Sequence, residues 1–375
     1  MEATAKTRAS LSLPWKTRFL LWAFSTVSHA ARRRDGTVNR RLLKFLEFRT
    51  PPTSKPVNGV KTYDIEIDPN RELWFRVFVP TQQAVEDLAV IHRYPVQHND
   101  CFDVLKFLDD EENRPKSLPE NANISRCFIA GDSAGGNIAH HVAQRACEFK
   151  FKQLKVIGLV AIQPFFGGEE RTNSEKELEG APVLSLEHTD WNWNALMPPG
   201  EGYNRDHPII NVSGPQAVDI SKMEFPATIV VVGGFDLLRD WQKRYYEWLK
   251  RSGKDAYLVE YPNMCHGFYA FPELPESEQL ISEVKDFIHK KNIHLLWRRT
   301  TNPACRMMCD RVNKYQHKRP PSCASAMLSF SPFSSPVELD MISLRLLPPH
   351  LELNPVSQMI HKLSSKSTEN NKIQT

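Results

Sequence analysis

The stretch RCFIAGDSAGGNIAHH, residues 126–141, decides the fold of this 375-residue chain. Its apolar start, 126–130, predicts a short buried strand, and residues 137–147 predict a helix. Between them, GDSAG fits the pattern G-x-S-x-G, in which a sharp strand-to-helix turn pushes the serine hydroxyl outward. The sequence therefore predicts Ser133 as a nucleophile, with a merely structural serine turn as the alternative.

The alternation of strand and helix continues on both sides of this turn. Further buried strands are predicted at 156–162, 227–232 and 256–261, and further helices at 101–108, 241–251 and 277–289. Residues 61–80 alternate apolar and polar side chains around the turn sequence DPNR, which predicts a hairpin. Strands that alternate with helices predict an α/β fold with a mostly parallel sheet and helices on both faces.

A serine hydroxyl is a weak nucleophile unless a base and an orienting acid accompany it. Asp236 follows the predicted strand 227–232, and His266 follows the last predicted strand. The carboxyl ends of parallel strands lie at the same edge of a sheet, so these residues are expected to lie close together. In addition, their order along the chain, Ser, Asp, His, is the order found in enzymes with a G-x-S-x-G turn. We predict Ser133, Asp236 and His266 as catalytic residues, with the backbone N–H of Ala134 as an oxyanion donor.

Each of these assignments has an alternative. Asp236 precedes a predicted helix and is also suited to cap it, while Asp240 is a rival acid that falls one turn into that helix. His266 has the alternative of an ordinary loop histidine. His140 and His141 lie inside the helix after the serine turn, where burial or solvation is expected rather than catalysis.

Five stretches resemble the plant carboxylesterases of the hormone-sensitive-lipase group, which also contain the gibberellin receptors. They are LPWKTR at 13–18, DGTVNR at 35–40, HRYP at 92–95, GDSAGGNIAHH at 131–141, and GGFDLLRDW at 233–241 together with CHGFY at 265–269. The resemblance spans about residues 11–292. It implies an α/β-hydrolase that acts on carboxylic esters and an N-terminal lid over the active-site mouth. The receptors replace the triad histidine with an apolar residue, so His266 favours the esterase branch.

The chain departs from that family at one point. The family carries an oxyanion motif, His-Gly-Gly-Gly, which is absent from this sequence. Only residues 81–91 separate the hairpin from HRYP, whereas a strand, glycine loop, helix and strand need at least about 30 residues. We predict a domain that is internally truncated near 81–91, lacks the strand–HGGG–helix–strand unit and leaves the strand before Ser133 short of partners.

The predicted organisation has three parts. Residues 1–60 form a helical lid segment, residues 61–296 the hydrolase domain, and residues 297–375 a disordered tail that is rich in Ser and Pro and has no Gly. Within the lid, residues 11–31 predict an amphipathic helix with Phe19, Leu20, Ala23 and Val27 on one side, although this stretch also weakly imitates a secretory signal.

Charge and cysteine content exclude several classes. Residues 1–60 hold 12 Lys and Arg against three Asp and Glu, residues 297–375 are also basic, and the folded middle is acidic, which disfavours a nucleic-acid binder. No apolar run is long enough to span a membrane. Seven cysteines without compact spacing predict free thiols and a cytoplasmic location, with the nucleus as a further option.

The leading functional hypothesis is a serine carboxylesterase that acts on a small ester without cofactor or metal. The alternatives are a receptor-like protein that binds a small molecule and an inactive isoform that does not fold. Trp191, Trp193 and Tyr203 are equally suited to line a pocket or to fill the core. The sequence does not predict ester specificity or oligomeric state.

Overall fold

The computed structural model describes residues 11, 13–34, 37–39, 42, 55, 60–71, 73–80, 85–89, 94–112, 114, 122–197, 204–299 and 346–347. Tyr203, Cys305, Cys309, Cys323 and most of the predicted tail lie outside the described residues, as do parts of the DGTVNR and HRYP stretches.

Seven helices and eight strands are present in the described part of the chain. The helices are α1 (Trp15–Ala31), α2 (Val96–Asp109), α3 (Ala134–Glu148), α4 (Asn173–Glu177), α5 (Leu186–Leu196), α6 (Arg239–Arg251) and α7 (Pro275–Arg299). The strands are β1 (Val60–Asp68), β2 (Leu73–Pro80), β3 (Val85–Ala89), β4 (Cys127–Asp132), β5 (Val156–Ile162), β6 (Ala227–Phe235), β7 (Ala256–Cys265) and β8 (Leu346–Leu347).

The larger part of the core surrounds a parallel sheet with the strand order β4-β5-β6-β7. Successive side chains of a strand point to opposite faces. Ile129 accordingly packs into a cluster with residues of α2, α3 and α6, whereas Phe128 packs on the other face with residues of α7. The predicted α/β fold with helices on both faces of the sheet is confirmed.

The N-terminal strands form a second sheet. The predicted hairpin is present as β1 and β2, which pair antiparallel with Ile65 opposite Phe75. The interval 81–91, for which the sequence predicted no strand, contains β3, which pairs antiparallel with β2. No strand was predicted here because Glu86 and Asp87 interrupt the short run of apolar residues in this interval.

The short strand β8 belongs to the N-terminal sheet and lies near the parallel sheet. It pairs parallel with β3, with Leu346 next to Leu88, and it lies beside β4 and α3. Among the described strands, β4 has a ladder partner on one side only, namely β5. Residues 346–347 therefore stand next to the strand that the sequence predicted to be short of partners.

Helix α1 packs on the domain through a face that differs from the predicted one. Thr17, Leu21 and Ser28 are buried, whereas Phe19 and Leu20 are more than half exposed. Residues four and seven positions apart share one face of a helix. The prediction chose the most apolar side of the helix, while the buried side contains a threonine and a serine.

Hydrogen bonds near both ends of α1 help to attach the N-terminal segment to the hydrolase domain. The Thr17 hydroxyl donates a hydrogen bond to Glu273 Oε1 at 2.9 Å. Near the other end of α1, the Trp191 indole N–H of α5 donates to the Arg33 carbonyl at 2.8 Å.

Four cysteines belong to the described residues, and none of these four forms a disulfide: Cys101, Cys127, Cys147 and Cys265. Within the same part of the chain, no helix combines the length and the apolar character that crossing a membrane requires.

Candidate active site

The turn between β4 and α3 gives Ser133 an unusual backbone. Its φ is 52° and its ψ is −119°, a conformation that is costly for a residue with a side chain. The end of β5 holds it in place, because Ser133 N donates to the Ile162 carbonyl at 2.9 Å and Phe165 N donates to the Ser133 carbonyl at 2.8 Å. The strained residue is therefore fixed by backbone hydrogen bonds on both sides.

Two glycines allow the chain to fold this tightly around the serine. A Cβ on Gly131 would lie 2.1 Å from the carbonyl oxygen of Gly135, and a Cβ on Gly136 would lie 2.8 Å from the Cβ of Pro164. Both distances are too short for real atoms. These positions of the GDSAGG stretch therefore require glycine for close approach of the backbone.

The structure brings the three predicted residues together in a hydrogen-bonded row. Ser133 Oγ lies 2.9 Å from His266 Nε2, and His266 Nδ1 lies 2.8 Å from Asp236 Oδ2. All three side chains are buried, at 7%, 5% and 0% exposure respectively. An imidazole that donates through Nδ1–H to a carboxylate leaves Nε2 as an acceptor for the hydroxyl proton. The row can therefore pass a proton from the serine to the histidine.

Asp236 makes contacts of both kinds that the sequence left open, to the start of a helix and to His266. Its Oδ1 accepts a hydrogen bond from Leu238 N at 2.9 Å, which caps the turn that leads into α6. Its Oδ2 accepts from His266 and also from Gln242 Nε2, the latter at 2.8 Å. Asp240, the rival acid, instead accepts from Ser174 N at 2.8 Å.

Two buried glutamines at this site were missed by the sequence reasoning. Gln242 donates to Asp236, as described above, and Gln163 bonds the backbone on both sides of His266. A single buried amide belongs to no motif, so only the strand-end position of Gln163 and its place in AIQPFF could have drawn attention to it.

The predicted oxyanion donor, Ala134, is the first residue of α3. The first N–H groups of a helix have no acceptor within that helix, so this one is available to a ligand. Beside it, Asp132 Oδ2 accepts a hydrogen bond from the Tyr269 hydroxyl at 2.8 Å, which joins the serine turn to the segment that follows His266.

The two histidines of the helix after the serine turn, His140 and His141, are packed in the interior. His140 is buried against Tyr245, whose hydroxyl lies 3.0 Å from Nδ1, and burial lowers the pKa of this imidazole to about 3. Burial also lowers the pKa of His141 well below its ordinary value. Both therefore match the expectation of a structural role.

The tryptophans of α5 divide between core and surface. Trp193 is buried and its ring lies 4.3 Å from that of Phe165, centroid to centroid, close to the serine turn. Trp191 contacts the N-terminal segment. No group of three or more His, Cys, Asp or Glu side chains in the described ranges is arranged to hold a metal ion.

The sequence also matches known proteins. A family profile described as the α/β-hydrolase fold matches residues 87–270. A gibberellin receptor of Arabidopsis thaliana is 31% identical over 333 residues, which are 74% of this chain and 94% of the receptor. The chain belongs to the α/β-hydrolase fold family. The resemblance inferred from its motifs is thereby confirmed.

Other relatives of this α/β-hydrolase have names of a different kind. A probable carboxylesterase of Arabidopsis thaliana is 34% identical over 177 residues, which are 44% of this chain and 53% of that protein. The 2-hydroxyisoflavanone dehydratase of Glycyrrhiza echinata is 28% identical over 310 residues, or 68% of this chain and 92% of the dehydratase.

Solved structures agree on the fold. A Rhizomucor miehei esterase superposes with a TM-score of 0.53 at 19% identity, covering 76% of this chain and 93% of that one. An esterase of Pyrobaculum calidifontis gives a TM-score of 0.52 at 21% identity, covering 71% and 95%. At such low identity these likenesses concern the fold alone.

Proposed function

We propose that this α/β-hydrolase cleaves small carboxylic esters, with Ser133 as the nucleophile. The observation that carries the proposal is the hydrogen-bonded row from Ser133 through His266 to Asp236, with distances of 2.9 Å and 2.8 Å. The row joins the ends of three different strands, and its members are buried from water. A nucleophile, a base and an orienting carboxylate in this order are the requirements of acyl transfer.

The reaction follows from the atoms at the site. His266 Nε2 removes the hydroxyl proton as Ser133 Oγ attacks the ester carbonyl, and the carboxylate of Asp236 stabilises the imidazolium that forms. The imidazolium then gives its proton to the leaving alcohol, which leaves an acyl group on Ser133. A water molecule, deprotonated by the same histidine, attacks the acyl carbonyl. The histidine then returns the proton to Ser133 Oγ, and the acyl group is released as a carboxylic acid.

The oxyanion site sets the expected rate. The Ala134 N–H is one donor, and the glycine motif that supplies further donors in the family is absent from the sequence. The loss of one such donor costs about 10²–10³ in rate. We therefore expect turnover well below that of relatives that carry the motif.

The test is hydrolysis of p-nitrophenyl acetate by the purified full chain. Ser133→Ala is expected to reduce release of p-nitrophenol to the background rate, because the attacking atom is removed. Ser282→Ala, an exposed serine on α7, serves as the matched control and should retain wild-type turnover. Equal turnover by the wild type and Ser133→Ala would refute the proposal.

A second candidate function is the binding of a small molecule without turnover. Several relatives that match 74% of this chain are gibberellin receptors, a name that indicates ligand binding. Calorimetry with a gibberellin distinguishes the two functions, since a receptor releases binding heat without producing alcohol. The presence of His266 supports the esterase.

The predicted lid also becomes a proposal. Thr17 of α1 bonds Glu273, which follows the His266 segment, and Trp191 bonds the backbone just beyond α1. These contacts support a role for residues 1–60 in covering the site. Truncation near 81–91 and a cytoplasmic location remain predictions. The third hypothesis, an isoform that does not fold, has a direct test: a cooperative unfolding transition of the purified chain would contradict it.

A further inference from the structure

We propose that Gln163 is a positioning residue whose side-chain amide fixes the segment that presents His266 to Ser133. This inference rests on the proposed esterase function and adds to it a residue that contacts neither substrate nor the reacting atoms. It would act through the backbone on both sides of the histidine.

The hydrogen bonds of the amide bracket the histidine. Gln163 Nε2 donates to the Cys265 carbonyl at 3.1 Å, and the Gly267 N–H donates to Gln163 Oε1 at 2.7 Å. Residues 265 and 267 are the two neighbours of His266 along the chain. One fully buried side chain therefore restrains the backbone before and after the base.

The geometry requires both ends of an amide. A carboxylate at this position would still accept from Gly267 N, but it has no donor for the Cys265 carbonyl. An apolar side chain of similar length would satisfy neither group. Buried polar backbone groups are costly to leave without partners, so the segment would shift to find new ones.

The backbone around Gln163 is shaped to hold the amide there. Its φ is +43°, which is uncommon for a residue other than glycine, and its N–H donates to the Val231 carbonyl at 2.9 Å. On the neighbouring strand, a Cβ at Gly233 would lie 2.5 Å from Gln163 Nε2. The missing side chain of Gly233 thus leaves room for the amide, and a strained residue that persists beside a reactive site is typical of function.

The consequence for catalysis concerns geometry more than affinity. Proton transfer from Ser133 depends on the 2.9 Å distance to His266 Nε2, and a displacement of about 1 Å can reduce a rate by about 10². Loss of the amide should therefore lower kcat by about 10- to 100-fold and change KM little, because the fully buried amide of Gln163 is engaged with the backbone on both sides of His266.

The experiment compares Gln163→Met and Gln163→Glu with a matched control. Thr228→Val removes a buried side-chain hydrogen bond to the Pro226 carbonyl, 3.0 Å long, at the opposite end of β6 from Asp236. Gln163→Met should show the fall in kcat, whereas Thr228→Val should lower the melting temperature and leave kcat within about twofold of the wild type. If Gln163→Met lowers the melting temperature but keeps wild-type kcat, the proposal is overturned.

The glutamate variant supplies a readout that a purely structural role would not change. A carboxylate beside the imidazole stabilises the imidazolium, so it should move the acidic limb of the kcat/KM profile to higher pH. An unshifted acidic limb would contradict the proposed placement of residue 163.

A proton NMR measurement separates failure of this proposal from failure of the proposed function. The His266 Nδ1–H that bonds Asp236 should give a low-field signal, identified by its loss in His266→Gln. This signal does not depend on turnover. Its loss or broadening in Gln163→Met supports the positioning role even if the wild type hydrolyses no ester, and an unchanged signal overturns that role.

Discussion

The two sheets of this α/β-hydrolase are assembled in different ways. In the parallel sheet, β4, β5, β6 and β7 are neighbours in space and successive along the chain, and short segments lead from their carboxyl ends to Ser133, Asp236 and His266. In the N-terminal sheet, the hairpin and β3 are local, but the next strand is β8, near the other end of the described chain. The three residues of the proposed reaction all follow strands of the parallel sheet.

The candidate site residues are concentrated on the parallel side of the molecule. The three hydrogen-bonded side chains and Gln163 lie in the turns at the ends of the parallel strands, and Gln242 lies on α6, which follows β6. The N-terminal sheet adjoins the interval where the glycine motif is absent from the sequence. Changes in the parallel sheet should therefore affect catalysis as well as stability, whereas changes around β3 and β8 should affect stability alone.

The largest expected effect is in the parallel sheet. Asp236→Asn should lower kcat for p-nitrophenyl acetate by about 10⁴, because the amide favours the wrong imidazole tautomer and no longer stabilises the imidazolium. Asp240→Asn is the matched control, since this carboxylate bonds Ser174 N rather than His266, and its kcat should stay within about threefold of the wild type. Similar losses in both variants would reassign the acid.

Low pH should also destabilise the helices that pack on the parallel sheet. Burial lowers the pKa of His98 and His188 to about 4 and that of His140 to about 3, from an ordinary value of 6.5. Below about pH 6.5 these histidines therefore bind protons in the unfolded chain but not in the folded chain. The free energy of unfolding is highest above that pH and decreases as the pH falls towards 4. One such histidine contributes about 3 kcal/mol to the decrease.

Urea unfolding at pH 7.5, 6, 5 and 4.5 measures this dependence. His140→Gln should reduce its slope, and His289→Gln, an exposed position on α7, should leave the slope unchanged. The hairpin residues 60–80 contain no histidine, so the parallel sheet and its helices carry the effect. A free energy of unfolding that is constant from pH 6.5 to 4.5 would disprove this account.

A smaller effect is expected where the N-terminal sheet is completed. Leu346→Pro removes a backbone N–H from β8 and should lower the free energy of unfolding by about 1–3 kcal/mol. Ser357→Pro places the same residue elsewhere in the C-terminal region and serves as the control. Identical urea midpoints for the two variants would show that β8 adds nothing to the stability of the sheet.

The smallest effect concerns the contact between α1 and the segment after His266. Thr17→Val keeps the shape of the buried side chain and removes its hydrogen bond to Glu273, which should cost about 1 kcal/mol and lower the melting temperature. Thr26→Val is the control, because that exposed hydroxyl bonds the Trp22 carbonyl within its own helix. A larger loss for Thr26→Val would contradict the proposed attachment.

The parallel sheet was the more predictable part of the sequence. Its strands are apolar runs followed by helices, and Ser133, Asp236 and His266 could be chosen because each follows a strand end. The structure brings these residues together. Helix α2 begins at Val96, ahead of the predicted start at 101, because its first turns contain polar residues such as His98 and Asp100 that are nonetheless buried.

The remaining features depend on contacts that a local pattern does not encode. β3 is short and carries two adjacent acids, and β8 has two residues, so neither shows a period. Gln163 and Gln242 are single amides, and their partners lie about a hundred positions later and six positions earlier in the chain, respectively. The buried face of α1 was misjudged because the Thr17 hydroxyl has a partner more than 250 positions later in the chain.

The pairing of Leu88 with Leu346 also constrains how the protein is made. The ribosome synthesises residue 346 long after the hairpin and β3. By that time all four strands of the parallel sheet have been synthesised and can already fold. During that interval one edge of β3 is open to other strands, which is the usual starting point for aggregation. Synthesis in the presence of a chaperone that shields open strand edges should therefore raise the yield of soluble chain.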